Sequence, residues 1–275
     1  MKLIFLDIDG TLTSAGSNVP PDSALKAIRA AQAKGNKVYL CTGRNYAMMK
    51  PLLKYDFDGY VASSGGYVVD GDEVLFDCPM SDEQWNTAIK AFHDHDVFCT
   101  VETKDVTYGD ENLGEFLKQG GDGNSELLRW RKAIEEKLDI VPISQFEEKK
   151  PVYKIVFICK DESQLAEARE KLEKDFNFVI QSAPIDNAGI INGEFINRAF
   201  DKGRGIIRVA EKEGVDIADT YGFGDSMNDL EMIETVGTSV VMANGNEELK
   251  KRADVVCPSV EKDGLLKAFQ QLGLC

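Results

Sequence analysis

The chain opens with the apolar run Leu3-Ile4-Phe5-Leu6, which stops at two carboxylates, Asp7 and Asp9. An uninterrupted apolar run is typical of a parallel strand that is covered on both faces. In open α/β sheets, ligands bind at the carboxyl ends of such strands. If the chain stays extended, Asp7 and Asp9 point the same way, and two like charges held together need a cation or a proton between them. The pattern therefore predicts a metal site at the end of the first strand.

Helical and strand patterns alternate through the first 77 residues. Apolar residues at helical spacing predict a helix, and short apolar runs between turn residues predict a strand. The predicted elements are a helix at 22–34, a strand at 37–41, a helix from there to about residue 55, a strand at 59–62, and strands at 67–69 and 73–76. The β-α-β-α-β order predicts a parallel sheet, and the last two strands predict a hairpin.

From about Ser81 the pattern changes to that of an α+β insert. We expect helices at 82–93, 125–137 and 162–174, a glycine-rich loop at 120–124, short strands on either side of Lys104-Asp105, and strands at 152–159, near 178–181 and at 189–195. The first pattern then resumes, with helices at 203–213, 226–236, 247–252 and from about 264, and strands at 220–224, 239–242 and 255–256. The fold class is therefore α/β, a doubly wound, Rossmann-like parallel-sheet core with an inserted α+β cap domain. We assign 1–80 and 195–275 to the core and 81–194 to the cap, which we expect to act as a lid.

Composition and charge narrow the classes of partner. The 275 residues are enough for two domains, and 43% hydrophobic with 29% charged residues is typical of a globular protein. The formal net charge of −15 disfavours nucleic acid and anionic membranes as partners. A negatively charged substrate must therefore be bound by local cationic groups and metal.

The sequence also favours a cytoplasmic protein. The apolar run before Asp7 is too short for a signal peptide, and no apolar run approaches the roughly 18 residues of a membrane span. Six cysteines without a Cys-x-x-Cys pair are typical of reduced thiols. The run His93-Asp94-His95-Asp96 invites a metal-site interpretation, but we expect surface residues at a helix end. The oligomeric state is not indicated, and a monomer is compatible with the sequence.

Four short motifs stand at predicted strand ends or helix starts. They are Asp7-Ile8-Asp9-Gly10-Thr11, Cys41-Thr42-Gly43-Arg44, Asp201-Lys202-Gly203 and Gly222-Phe223-Gly224-Asp225-Ser226-Met227-Asn228-Asp229. Taken together, they resemble the motifs of the haloacid dehalogenase superfamily of aspartate-nucleophile phosphatases, most closely its Cof-type sugar phosphatase subgroup. The resemblance is dense over about 1–77 and 198–272, whereas the insert is similar to the family's cap only in position, size and element order.

The resemblance implies a set of catalytic roles. Asp7 would attack phosphorus to give an aspartyl-phosphate, which divides a very high barrier into two steps. Asp9 would protonate the leaving alcohol and then activate water. Mg²⁺ would be held by Asp7, the backbone carbonyl of Asp9, and Asp225, because a hard cation prefers oxygen ligands.

Further residues are assigned to phosphate binding by the same resemblance. Taken alone, each motif has an ordinary structural interpretation as a cap, a turn or a surface lysine, so the assignment rests on the set. The phosphate-binding residues would be Thr42 and the Gly43 amide at a helix start, the Ile8 amide, Lys202 and Asn228, while Asp229 would orient Lys202 or the metal shell.

We therefore expect a Mg²⁺-dependent phosphatase acting on a small phosphate ester, with a sugar phosphate as the leading candidate. A phosphosugar mutase using the same intermediate stays open, as does, from a different class, a phosphoacceptor signalling module. The subgroup usually carries Asn-Gly-Ala after the third strand, where this chain has Ser64-Gly65-Gly66. The shorter Ser64 side chain makes substrate identity less transferable than reaction type, and the sequence does not name the specificity residues of the cap.

Overall fold

The computed structural model describes residues 1–118, 140–146, 150–180 and 190–275. These residues divide into two compact units. The core unit comprises 1–44, 48–77 and 200–275, and the insert unit comprises 45–47 and 78–199. The glycine-rich loop expected at 120–124 and the helix expected at 125–137 lie outside the described residues.

Strands and helices alternate along most of the described chain. The strands are β1 (Leu3–Leu6), β2 (Lys37–Cys41), β3 (Gly59–Ala62), β4 (Tyr67–Asp70), β5 (Glu73–Asp77), β6 (Phe98–Thr103), β7 (Thr107–Gly109), β8 (Ile140–Pro142), β9 (Val152–Cys159), β10 (Phe176–Ile180), β11 (Ile191–Asn197), β12 (Thr220–Gly224), β13 (Thr238–Met242) and β14 (Val255–Cys257). The helices are α1 (Asp22–Ala33), α2 (Tyr46–Met49), α3 (Asp82–His93), α4 (Leu113–Lys118), α5 (Ala166–Leu172), α6 (Lys202–Glu213), α7 (Leu230–Thr235), α8 (Glu247–Lys250) and α9 (Gly264–Gln271). In this part of the chain no helix is both long and apolar enough to cross a bilayer.

The core unit is built on an eight-stranded sheet of order β14-β13-β12-β1-β2-β3-β4-β5. The strands from β14 to β3 are parallel, and β4 and β5 add the predicted antiparallel hairpin. The central strand β1 is fully buried, as its uninterrupted apolar run predicts. The chain continues from β1 to β2 on one side, while β12 pairs on the other, so β1 lies at the switch point where doubly wound folds bind ligands.

Helix α6 covers one face of this sheet. Its residues Ile206 and Val209 share an apolar cluster with Phe5 and Val61. A Cβ at Gly205 would lie 2.5 Å from a Val61 methyl, so glycine lets the helix approach the strand. This close packing fixes the first turn of α6, which carries Lys202, against the sheet.

The insert unit has its own sheet, with the described strands in the order β10-β11-β9-β6-β7-β8. The pairs are antiparallel except β7 with β8. Its apolar core joins α3 and α5 to the sheet through buried rings such as Trp85, Phe92 and Phe157. Ser81 is the N-cap of helix α3 and forms a capping box with Gln84, as the residue types at this boundary favour. The α+β character expected of the insert is confirmed.

Some predicted helices are shorter than expected. The helix expected from Thr42 to about residue 55 is the single turn α2 followed by a 3₁₀ segment at Lys50–Tyr55, with Pro51 near the start of that segment. The helices expected at 162–174 and 226–236 both begin as 3₁₀ turns, at Glu162–Leu165 and Met227–Asp229. The short elements α4 and β8 were not predicted, because three to six residues carry too little periodicity to be recognised.

Candidate active site

Asp7 lies directly after β1, at the carboxyl edge of the core sheet. Its backbone N–H donates to the Phe223 carbonyl at 2.9 Å, which continues the ladder with β12. Its side chain is 5% exposed, and Oδ1 accepts a 2.9 Å hydrogen bond from Lys202 Nζ. Lys202 is the first residue of α6 and is itself buried, with Nζ 2.5 Å from Asp229 Oδ1. One ammonium group therefore bridges two buried carboxylates.

The segment after β12 supplies two more acidic groups. Asp229 is fully engaged: Oδ1 accepts from Lys202, and Oδ2 accepts from the backbone N–H groups of Asp225 and Ser226 at 2.9 and 3.1 Å. Asp225, by contrast, has a buried Oδ1 with no hydrogen-bond partner among the described residues. Asp7, Asp225 and Asp229 each place a carboxylate oxygen within 4.8 Å of the other two. Asp229 is thus the positioning group of the three, and Asp225 presents an unsatisfied oxygen.

Negative charge exceeds positive charge in this cluster. Burial raises the pKa of Asp7 to about 7, the Asp229 carboxylate adds to the shift, and Lys202 opposes it. Burial and then the charge of Asp7 raise the pKa of Asp225 well above its usual value. Burial lowers the pKa of Lys202, but Asp229 and Asp7 outweigh it, so the net shift is upward and the lysine stays charged. Three carboxylates around one ammonium group form a donor set that fits a divalent cation with oxygen ligands.

The side chains of Asp9 and Asp7 hydrogen-bond to different residues. Its Oδ1 accepts from Arg44 Nη2 and from the Gly16 N–H, and its Oδ2 accepts from Arg44 Nε, all at 2.7 Å. The expectation that the two aspartates point the same way holds only if the chain stays extended, and that condition is not met, because the Leu12 and Thr13 N–H groups donate to the Ile8 carbonyl and the chain turns. The carboxylates of Asp7 and Asp9 therefore bind different cationic side chains.

Arg44 received no role from the sequence, although it follows Thr42-Gly43 directly. It is 4% exposed, and its Nη1 donates to Asn18 Oδ1 at 2.6 Å besides the pair with Asp9. A buried guanidinium needs an acidic partner, and a bidentate carboxylate is its best geometric match. Its position at the end of a predicted strand was the signal that could have identified it.

Thr42 and Gly43 precede α2 and do not open a long helix. The Thr42 hydroxyl accepts the Arg44 N–H at 3.1 Å, a local hydrogen bond that competes with helical structure. The helical segment begins at Tyr46 and continues as the 3₁₀ segment Lys50–Tyr55, so it starts three residues after Gly43 and not at Thr42. Thr42 is still held at the sheet edge, since its N–H donates to the Val61 carbonyl.

The remaining predicted residues lie on the same edge. Ile8 is buried in the turn after β1, and Asn228 lies in the 3₁₀ turn after β12, where its Oδ1 accepts from the Ser226 hydroxyl at 2.7 Å. The described contacts bring Asp7, Lys202, Asp225 and Asp229 into one cluster. Thr42 instead hydrogen-bonds Arg44 and the loop after β3, and Asn228 hydrogen-bonds Ser226.

Two residues outside the predicted catalytic, metal-binding and phosphate-binding set shape the loop after β1. Gly10 has φ +87°, and a Cβ there would lie 2.3 Å from Asp225 Oδ2. Asn244, after β13, donates from Nδ2 to the Gly10 carbonyl at 2.9 Å. Glycine at this position is therefore required by the side chain of Asp225 as well as by the backbone.

The loop after β3 is constrained by left-handed backbone conformations and by a close contact with Asp201. Ser63 and Ser64 both have left-handed backbones, with φ +49° and +57°, and Gly65 follows at φ +102°. A Cβ at Gly65 would lie 2.2 Å from the carbonyl oxygen of Asp201, so this loop packs against the residue that caps α6. The left-handed conformation at Ser64 is one that asparagine, the residue expected here from the resemblance, also tolerates well.

The fold and the acidic cluster define an α/β enzyme core with an aspartate at the switch point of its sheet. A family profile described as haloacid dehalogenase-like hydrolase matches residues 4–269, and the chain belongs to this family. The resemblance found in the four motifs is thereby confirmed at the level of the family.

Similar proteins span the whole chain. YkrA of Bacillus subtilis (strain 168) is 30% identical over 282 residues, covering 99% of this chain and 98% of YkrA. The 5-amino-6-(5-phospho-D-ribitylamino)uracil phosphatase YwtE of the same organism is 29% identical over 287 residues, with 99% and 98% coverage. Among solved structures, the haloacid dehalogenase subclass IIB sugar phosphatase BT4131 superposes with a TM-score of 0.80 at 22% identity, covering 100% of both chains. That likeness shows the core-and-cap fold.

Proposed function

We propose that this protein is a Mg²⁺-dependent phosphatase that hydrolyses a small phosphorylated metabolite through an aspartyl-phosphate on Asp7. The observation that carries the proposal is the buried Asp7–Lys202–Asp229 chain beside the unpartnered Asp225 Oδ1. This arrangement holds one carboxylate at the sheet's switch point and leaves one oxygen of a second without a hydrogen-bond partner among the described residues.

The donor set suits Mg²⁺. The ion would be held by the carboxylates of Asp7 and Asp225 and the backbone carbonyl of Asp9, and it would neutralise charge on the transferring phosphoryl group. Asp229 is a positioning residue in this arrangement, because both of its oxygens already accept hydrogen bonds. An added positive charge also favours ionised Asp7, which the nucleophile must be.

The reaction follows from what the side chains can do. Lys202 holds Asp7 Oδ1, so Oδ2 would attack phosphorus, and the bond from phosphorus to the ester oxygen breaks. The leaving alcohol takes its proton from Asp9. A water then attacks the aspartyl-phosphate and gives its proton back to Asp9, which releases phosphate and regenerates Asp7. Lys202 stabilises the phosphoryl charge in both steps, together with Thr42, Asn228 and the amides of Ile8 and Gly43.

For this cycle Asp9 must break its hydrogen bonds to the Arg44 guanidinium and contact the substrate instead. A carboxylate held by both nitrogens of Arg44 is kept ionised and cannot donate a proton there. We propose that Asp9 leaves Arg44 when a phosphate ester is bound, and that Arg44 holds it in a defined place between turnovers.

The substrate is proposed to be a sugar phosphate or a similar polar phosphate ester. Support comes from the similar proteins, since BT4131 is named a sugar phosphatase and YwtE acts on a ribityl phosphate by its name. We further propose that the insert, assigned to 81–194, acts as a cap that selects the leaving group.

The test is phosphate release from a panel of phosphorylated metabolites and an aryl phosphate, with and without Mg²⁺. We expect turnover that chelation abolishes and that Mg²⁺ restores, and we expect none with Asp7→Asn, which keeps the shape but cannot attack. Asp72→Asn, in the exposed turn of the β4–β5 hairpin, is the matched control and should keep full activity. Chelator-resistant turnover, or near-normal turnover by Asp7→Asn, would overturn the proposal.

A further inference from the structure

A second group of metal-ligating side chains lies in the insert unit. His93 at the end of α3, Cys99 on β6 and Asp110 after β7 each place one ligand atom within 4.8 Å of the other two. His93 Nε2 is 2.9 Å from Asp110 Oδ1 and 3.6 Å from Cys99 Sγ. Asp110 is held in place because its Oδ2 accepts the Cys99 N–H at 2.6 Å.

The run His93-Asp94-His95-Asp96 is not itself the cluster. His95 turns to a different partner, with Nε2 2.7 Å from Glu167 Oε2. The cluster instead joins residues from three elements, which the sequence pattern alone does not bring together.

The Asp110 carboxylate lies against both the imidazole of His93 and the thiol of Cys99; burial first, and then this carboxylate, raise the pKa of Cys99 well above its usual value. One imidazole nitrogen carries either a single proton or a single lone pair, yet the carboxylate and the thiol both face Nε2. If Nε2 carries a proton, it donates to Asp110, and the Cys99 thiol hydrogen-bonds the same carboxylate. If it does not, the carboxylate faces a lone pair. A cation placed between the three atoms is attracted by all of them.

We infer that His93, Cys99 and Asp110 form a Zn²⁺ site. Imidazole, thiolate and carboxylate are the ligand types that zinc takes, at about 2.0–2.3 Å. Around a tetrahedral zinc such atoms lie roughly 3.3–3.6 Å apart, so the two observed separations require only small side-chain shifts. On binding, Zn²⁺ displaces the thiol proton to solvent, and the sulfur coordinates as thiolate.

The site has room for a fourth ligand. A cleft of about 360 Å³ adjoins it, lined by His93 and Asp110 together with Asp96, Glu111 and Asn112. Cys99 is fully buried, whereas the His93 side chain is 41% exposed, so the ion would sit between the core of the insert and this cleft. Three protein ligands and an open position leave the ion accessible to water or to a small nitrogen or oxygen ligand.

This site is independent of the proposed phosphatase centre, and the test separates them. Co²⁺ is used as a spectroscopic substitute for zinc in the full chain, with Mg²⁺ present in excess to occupy the carboxylate cluster of the core. We expect one equivalent of Co²⁺ to give a thiolate-to-cobalt charge-transfer band. The band should be absent from Cys99→Ser, and His93→Gln should weaken Co²⁺ binding about tenfold or more.

Two controls fix the origin of the band. Cys159→Ser removes another buried thiol of the same apolar core and should keep the band, as should Asp225→Asn. No band in the wild type, or a band of equal intensity in Cys99→Ser, would overturn the site. If Cys99→Ser does not fold, His93→Gln decides, because its half-exposed side chain can be replaced without disturbing the core, and unchanged Co²⁺ affinity there refutes the proposal.

Discussion

Arg44 donates two hydrogen bonds to Asp9 through two guanidinium nitrogens, each 2.7 Å from a different carboxylate oxygen. Both side chains are nearly inaccessible to solvent, at 4% and 10% exposure. Removing one member of a buried ion pair costs about 3–5 kcal/mol, because the other charge stays buried. We therefore expect Arg44→Met to lower the free energy of unfolding by that amount in urea titrations.

The matched control for this pair is Arg29→Met. Arg29 pairs with Asp56 at the surface, with side chains 44% and 86% exposed, so its loss should cost no more than about 1 kcal/mol. The double variant Arg44→Met/Asp9→Leu should be less destabilised than the sum of its two single changes. Wild-type stability of Arg44→Met would contradict the importance of the pair.

The raised pKa of Asp7 makes stability depend on pH when divalent cations are removed. The folded state holds this proton up to about pH 7, while the unfolded chain loses it near the ordinary value of aspartate, about 3.9. The stability associated with protonated Asp7 is complete below the unfolded pKa and is lost as pH rises towards 7. In chelator at pH 7.5, Asp7→Asn should therefore be more stable than the wild type, and the difference should shrink towards pH 5.

Mg²⁺ should reverse this order. Binding to the native state alone stabilises it by mass action, so Mg²⁺ should raise the unfolding free energy of the wild type at pH 7.5 more than that of Asp7→Asn. Equal stability of the two proteins in chelator at both pH values would show that Asp7 is not strained by its buried neighbours.

Gly10→Ala tests the contact between the first loop and Asp225. The added methyl would lie 2.3 Å from Asp225 Oδ2, so the carboxylate must move, and we expect Mg²⁺ affinity and turnover to fall at least about tenfold, equivalent to about 1.4 kcal/mol. Gly35→Ala is the matched control, because Gly35 has a similar φ of +83° but has nothing within 4 Å of its Cβ position. Both variants carry backbone strain of about 1–2 kcal/mol, so only a difference between them in Mg²⁺ titrations supports the contact.

Lys202→Met tests the ammonium bridge. It leaves Asp7 and Asp229 without their common cation in a buried site, and it removes the charge that we propose stabilises the phosphoryl group. We expect kcat to fall by about 10²–10³, measured by phosphate release under saturating substrate. Lys212→Met, on the exposed face of the same helix and paired with Glu73, should retain the wild-type kcat. A loss confined to KM would assign Lys202 to substrate binding alone.

The parts of the fold that could be predicted are those with a repeating pattern. The apolar run of β1, the strand-helix alternation and the motifs at strand ends place Asp7, Lys202 and Asp225 at one sheet edge. The pairing of Arg44 with Asp9 could not be predicted, because a contact between residues 35 apart in the chain leaves no periodic signal. The direction of the Asp9 side chain could not be fixed from the sequence for a related reason, since it depends on a turn whose backbone hydrogen bonds form only in the folded loop.

The order of strands in the core sheet has a consequence during synthesis. The central strand β1 pairs on one side with β2 and on the other with β12. Leu3 can therefore pair on its second side only after Thr220 has been synthesised. At roughly 5–20 residues per second, the ribosome needs about 10–40 s to make the chain between them. Throughout that interval the most apolar strand of the sheet presents an open edge, and Asp7 has neither Lys202 nor Asp225 beside it. An open strand edge is a template for pairing with another chain, and in this protein that edge and the incomplete carboxylate cluster around Asp7 are both completed when β12 pairs with β1.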